Sequence, residues 1–144
     1  SALASDNVVW DAVRGGHSRL AKSHGITLSG EAGNLTNQHA FKWSGIASTV
    51  SIGVDKFDDE KSRIPVQLTV KTAKNKNAPR KSRNVISLRR GGPSRGNAAI
   101  KAATSGSFYR RDQERAALAR YTALVRGQTP ARKGVVQKKA NRRR

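Results

Sequence analysis

A chain of 144 residues carrying 29 Lys and Arg against nine Asp and Glu, for a formal charge of +20, is built to meet a polyanion. The lack of Cys excludes disulfides, thiolate zinc sites and cysteine nucleophiles. No apolar run is long enough for a membrane span or a signal peptide.

The charge is one-sided. Residues 71–144 hold 22 of the basic residues and only two acids, Asp112 and Glu114, while residues 1–70 hold seven of each sign. The apolar content splits the other way, with 18 Leu, Ile, Val and Phe in residues 1–70 and ten in residues 71–144. A stretch poor in large apolar side chains and rich in one charge buries little surface by itself. The expected organisation is an α+β chain in four parts. A compact body spans 1–71 and a basic linker 72–97. A helical segment over 98–127 packs on the body or on a partner, and 128–144 form a basic, extended RNA-binding tail.

In chain order, Asp6 or Asn7 can cap a short helix over Val8–Arg14, which Gly15 and Gly16 end. Val9, Trp10 and Val13 share one face of it, and Trp10 reads as a core anchor rather than a base-stacking group. Residues 15–40 read as loops around one short strand at Ile26–Leu28. Three period-two segments follow, at 41–46, 49–54 and 64–71, each with one apolar face. Together they predict a small antiparallel sheet packed on the first helix, with Trp10, Phe41 or Trp43, Val50, Ile52, Val66 and Leu68 buried together. Asp55–Lys61 reads as a solvated hairpin loop, and Pro65 starts the last strand or lies at an edge.

Beyond it, 72–97 reads as extended and basic, with a short apolar patch at Val85–Leu88. Ala98–Thr104 has helical propensity with Gly106 as a stop. Residues 111–126 carry the clearest helix signal: Asp112 and Glu114 in the first turn, Arg126 in the last, Gly127 after it. On its wheel Ala117, Leu118, Tyr121, Leu124 and Val125 form the core-facing stripe, with Arg111, Arg115 and Arg126 on one flank and Arg120 on the other.

An enzyme reading has little support. His17, His24 and His39 lack metal-ligand spacing. The acids at Asp55, Asp58, Asp59 and Glu60 lack the pattern of a calcium loop. Gly91, Gly92 and Gly96 have no Gly-Lys-Ser/Thr after them and read as flexible linker rather than as a phosphate loop. No cofactor or metal is expected. The basic residues remain, and a merely solvated surface would mix both signs. In the second half Arg outnumbers Lys 14 to 8, which suits phosphate forks. Aromatics are sparse there, so phosphate and sugar contacts fit better than a base-stacking platform. The candidate RNA contacts in the linker are Lys74, Lys76, Arg80, Lys81, Arg83, Arg89, Arg90 and Arg95. In the helical segment they are Arg110, Arg111, Arg115, Arg120 and Arg126. In the tail they are Arg132, Lys133, Lys138, Lys139, Arg142, Arg143 and Arg144.

The order of features resembles a known family. Asn7-Val-Val-Trp10, then Arg14, then Gly30-Glu-Ala-Gly-Asn34-Leu-Thr-Asn37-Gln-His-Ala-Phe41-Lys-Trp-Ser-Gly45 looks like the first half of the eukaryotic large-subunit ribosomal protein twenty-eight family. Tyr109-Arg-Arg-Asp112, the Ala/Arg/Leu helix ending at Arg126-Gly-Gln128 and the Lys/Arg-rich tail resemble its second half. Arg111, where a Pro is common, and the Gly-rich stretch at 91–96 depart from the pattern. The resemblance implies a structural component of the cytosolic large (60S) ribosomal subunit, with an α+β body and basic extensions on ribosomal RNA. It also implies neighbouring ribosomal proteins as partners, no membrane or small-molecule substrate, no catalytic residues, and transit through the nucleus and nucleolus for assembly. A nuclear ribosome-assembly family is similar in its N-terminal domain but carries a cysteine-rich signature that this chain lacks. A free-standing nucleic-acid chaperone would use the same charge.

Overall fold

The computed structural model describes residues 4–57, 65–75, 78, 81–88 and 92–128. Within them the chain is α+β, with a two-stranded hairpin, a three-stranded sheet and three α-helices.

Helix α1 (Asp6–Arg14) is capped by Ser5, whose Oγ accepts from the Val8 amide at 3.4 Å. Asp6 and Asn7, the expected caps, lie inside the helix. The Asp6 carboxylate instead accepts from the Thr49 amide at 2.8 Å and from the Thr49 hydroxyl, which ties α1 to a distant loop. No residue of α1 is fully buried. Trp10 is an anchor, but of a satellite cluster rather than of the core. Its ring lies 5.0 Å from His39 and 5.9 Å from Phe41, with His17 5.6 Å from His39.

Strands β1 (Leu20–Ser23) and β2 (Ile26–Ser29) form a hairpin where only β2 had been expected. The turn residues His24 and Gly25 have φ of 51° and 77°, the double-positive geometry that matches the twist of a two-residue hairpin. β1 is exposed along most of its length and so carries no alternation to read.

The segment at 41–46 is not a strand. Phe41–Trp43 is a 3-10 turn, because the chain here winds around a buried carboxylate. Glu31 accepts from the Ser29 hydroxyl (3.0 Å), the Asn34 amide nitrogen (3.3 Å), the Ser44 hydroxyl (3.0 Å) and the Ile46 backbone amide (3.0 Å). Such a charge is tolerable inside only because donors surround it.

The larger sheet runs antiparallel in the order β3 (Ser51–Lys56), β4 (Val66–Lys71), β5 (Arg83–Ser87). Pro65 sits just ahead of β4, its carbonyl accepting from the Phe57 amide at 3.0 Å. Most of the expected hairpin loop falls at 58–64, outside the described residues. β5 and the start of α2 (Gly92–Ala103) both lie in the stretch read as linker. β5 was illegible because it is an edge strand with four exposed residues in five, Val85 and Ile86 among them.

The core is the second correction. Ile52, Val54, Val66 and Leu68 are fully buried on one face of the sheet, as expected. They are covered by Ile100 from α2 and by Ala117, Tyr121 and Val125 from α3 (Glu114–Gln128), with Leu35 and Leu88 joining the same cluster. Residues 1–70 therefore do not form a core alone. The second half has few apolar residues, but they recur every fourth position along one helix face. Val50 lies outside this cluster and Trp43 packs half-buried against it, as do Leu118 and Leu124 on the flanks of the α3 stripe. Gly96 is not a linker residue either. A Cβ there would lie 2.0 Å from the Tyr121 hydroxyl, so glycine is what lets the ring press against the α2 backbone.

Candidate nucleic-acid interface

The turn joining α2 to α3 sets the direction of the arginines in it and along α3. Tyr109 anchors it: its amide bonds the Thr104 carbonyl at 2.8 Å, and its hydroxyl donates to the Lys71 carbonyl across the sheet edge. Burial pushes the Tyr109 phenol up from its ordinary pKa. Phe108 and Arg110 on either side have φ of 53° and 44°, left-handed backbone that side chains rarely adopt. At the start of α3, Glu114 accepts from the Ser105 and Thr104 hydroxyls, and these bonds hold its carboxyl below the usual range.

Two of the expected RNA contacts face inward. Arg110 donates to the carbonyls of Val50 and Lys42, both at 3.0 Å, and pairs with Asp112 at 3.2 Å. Arg120 donates to the Val54 carbonyl (2.6 Å), the Leu35 carbonyl (3.1 Å) and the Asn37 side-chain oxygen (3.0 Å), and pairs with Asp55 at 3.0 Å. The expectation that Arg120 flanks the helix and reaches phosphates does not fit this geometry. Its donors hold the 35–37 loop and β3 to α3. Lys71 plays a similar part on the opposite side of the sheet, its Nζ donating to the carbonyls of Gly45, Ile46 and Ser48 at 3.0, 3.3 and 2.7 Å.

Other candidates face solvent. Arg111, Arg115 and Arg126 are exposed, Arg111 in the 3-10 turn Arg111–Gln113 and the other two on the side of α3 turned from Ala117, Tyr121 and Val125. At about 100° and 1.5 Å per residue, Arg115 and Arg126 lie within about 20° of one another and about 16 Å apart along α3. Ala119 and Thr122 lie between them on the same side, small enough for a phosphate chain to approach the helix closely. On α2, Arg95 and Lys101 are exposed; Lys101 had not been singled out, although the helix carrying it had. Among the described residues no acidic side chain pairs with Arg95, Arg115 or Arg126. Lys74 and Lys81 are exposed and Arg83 is half-buried in β5. Lys76, Arg80, Arg89, Arg90, Arg132, Lys133, Lys138, Lys139, Arg142, Arg143 and Arg144 lie outside the described residues.

The structure thus places Arg115 and Arg126 on one outer side of α3, leaves Arg111 exposed in the turn before it, and turns Arg110 and Arg120 inward. Spacing could have flagged Arg120, since it falls on the opposite flank of the wheel, but nothing in the sequence marks its carbonyl partners 66 and 85 positions away.

The profile described as the Ribosomal L28e protein family matches residues 8–127. A protein of Dictyostelium discoideum named large ribosomal subunit protein eL28 is 42% identical over 50 residues, a match spanning 35% of this chain and 38% of that protein. The loop wound around Glu31, the three-stranded sheet and both C-terminal helices all lie inside the family match, and the chain belongs to the Ribosomal L28e protein family.

Proposed function

We propose that this chain is a structural constituent of the large subunit of the cytosolic eukaryotic ribosome, held on ribosomal RNA by Lys and Arg contacts to phosphates. Membership of a ribosomal protein family supports the setting. The observation that carries the contact mode is the outer face of α3, where Arg115 and Arg126 stand exposed without an acidic partner among the described residues, with Arg111 exposed in the turn just before it. Neutralising phosphates with such groups releases counterions and gives affinity that does not depend on sequence. Arg95 and Lys74 extend the set, and the basic tail after Gln128 is assigned the same role. Neighbouring ribosomal proteins are the second class of partner, and no catalytic step enters this reading. On this reading the chain works in the cytoplasm after transit through the nucleus and nucleolus for assembly.

A free-standing nucleic-acid chaperone would share the charge but not the permanence. Co-sedimentation separates the two. After a high-salt wash the protein is expected to stay with the large subunits. Release into the supernatant with intact subunits left behind would overturn the structural role.

A further inference from the structure

The most exposed large apolar side chain in the described structure is Phe108, at 81%. Its exposure is imposed. The residues on both sides are pinned: the Ser107 hydroxyl donates to the Ala103 carbonyl at 2.6 Å, the Tyr109 hydroxyl to the Lys71 carbonyl, and Arg110 to the carbonyls of Lys42 and Val50. Between them Phe108 itself is held at φ 53°, a conformation that side chains other than glycine rarely adopt. A bulky residue kept in left-handed backbone and turned to solvent serves something outside the chain.

The surroundings select the partner. The exposed side chains along the turn and the adjoining helix ends are Lys101, Ala102, Ser107, Arg111, Asp112 and Arg115, so apart from the small Ala102 the ring has no apolar rim. An apolar pocket on another protein would meet polar and cationic groups all round the ring. The Arg111 guanidinium lies 5.9 Å from the Phe108 ring centre, poised beside it rather than in an acidic pair. A flat apolar face next to a free cation matches a flat apolar group that carries an anion. Two acids lie nearby and both are satisfied internally: Asp112 pairs with Arg110, and Glu114 accepts from Ser105 and Thr104.

We infer that Phe108 stacks on a single unpaired, extruded base of RNA while Arg111 takes the phosphate of the same or the adjoining nucleotide. The inference rests on the ribosomal reading above and adds a base-level anchor to its phosphate contacts. It differs from a single-strand platform, in which several aromatics stack successive bases.

Titration with deproteinised large-subunit ribosomal RNA, using the full chain, tests it. Phe108→Ala is expected to weaken binding about 5- to 150-fold, the range of one lost base stack. Phe108→Tyr should restore wild-type binding and Phe108→Leu should not. Irradiation at 254 nm should attach a nucleotide to the peptide containing residue 108 in the wild-type and Tyr forms. Because the ring makes no core contact, these variants should melt like the wild type. Phe108→Gly, which relieves the backbone, should melt a few degrees higher. Binding by Phe108→Ala within twofold of wild type would overturn the stack, and so would full rescue by Phe108→Leu, which would mark an apolar pocket instead. Either result leaves the phosphate reading standing if Arg115→Ala still weakens binding. If the wild type fails to bind the RNA at all, both readings fall.

Discussion

The two faces of the three-stranded sheet are covered in opposite ways. On one, Ile52, Val54, Val66 and Leu68 meet Ile100, Ala117, Tyr121 and Val125, and packing is apolar throughout. On the other, Ser51, Gly53 and Lys71 meet the loop that winds around Glu31. A helix satisfies its own backbone and brings only side chains, so it can be greasy on its inner side. A loop brings unsatisfied amides and carbonyls, so the chain must place polar partners wherever it buries one. That is why a carboxylate with four donors and a lysine with three carbonyl acceptors sit where a second apolar layer would otherwise be. Close approach is the other requirement. A Cβ at Gly45 would lie 2.1 Å from the Ala32 carbonyl and one at Gly53 3.0 Å from the Gly33 Cα, so backbone meets backbone there directly.

The contrast can be broken from either side. The largest expected effect is on the apolar face: Tyr121→Ala should destabilise the chain by about 3–5 kcal/mol in chemical denaturation. Tyr121→Phe should change stability by less than about 0.5 kcal/mol, because the hydroxyl is buried with no hydrogen-bond partner in the structure. A large loss in the Phe variant would mean that the helical cover also depends on a polar tie at that ring. On the loop face, Glu31→Ala strands four donors and should cost about 3 kcal/mol. An unchanged denaturation midpoint would show that the loop is held by Lys71 and the glycine contacts alone. Arg120→Ala cuts the tie from α3 to both β3 and the 35–37 loop. It should cost about 1–3 kcal/mol, less than a fully buried pair because the side chain is 23% exposed.

Smaller still is the pH response of the α2–α3 turn. The Ser105 and Thr104 hydroxyls hold Glu114 below its ordinary value of 4.5. A carboxyl lowered by folding contributes stability that is complete above that value and fades as pH falls through the folded one. Melting at neutral pH and at pH about 3.5 should therefore show a gap that narrows in Ser105→Ala; an equal gap in both would remove the hydroxyl contribution. The smallest effect on stability belongs to the outermost group. Arg115→Ala should leave the denaturation midpoint within about 0.5 kcal/mol while weakening RNA binding and flattening its log–log salt dependence by about 0.7. A stability loss there would move Arg115 to the inner set with Arg120.

Much of this was legible from residues alone, and the failures share a cause. The strands around Ile52 and Leu68 and the stripe Ala117, Tyr121, Val125 were readable because each buries one face at its own period. The Ser, Gly and Asn of the Glu31 loop have no period, since their burial follows hydrogen bonding rather than hydropathy. Alternation at Phe41 and Trp43 mimicked a strand although the chain turns there. Gly92-Pro93-Ser94-Arg95-Gly96 reads as linker, yet Pro is at home in a first helical turn and Gly96 answers a ring 25 positions away. Charge density singles out the second half of the chain but gives no direction for any single guanidinium. Arg110 and Arg115 differ only in what the fold offers them.

The position of Tyr121 and Val125 has a consequence for how the chain is made. The sheet is complete by residue 87, but the cover of its buried face, begun by Leu88 and by Ile100 of α2, is finished only when α3 lies across it. Synthesis runs from the N-terminus, so Ile52, Val54, Val66 and Leu68 emerge first and wait for about fifty further residues before their cover arrives. During that interval the nascent chain exposes an apolar sheet, and Asp55 and the carbonyls of Leu35 and Val54 lack the Arg120 guanidinium that later ties them to α3. A ribosome-bound chain stalled before Ala117 should therefore be protease-sensitive throughout β3 and β4, and one released after Gln128 protected there. Closure of the core and orientation of the outer arginines become a single late event, so a chain cut short of α3 is expected to lack a stable fold.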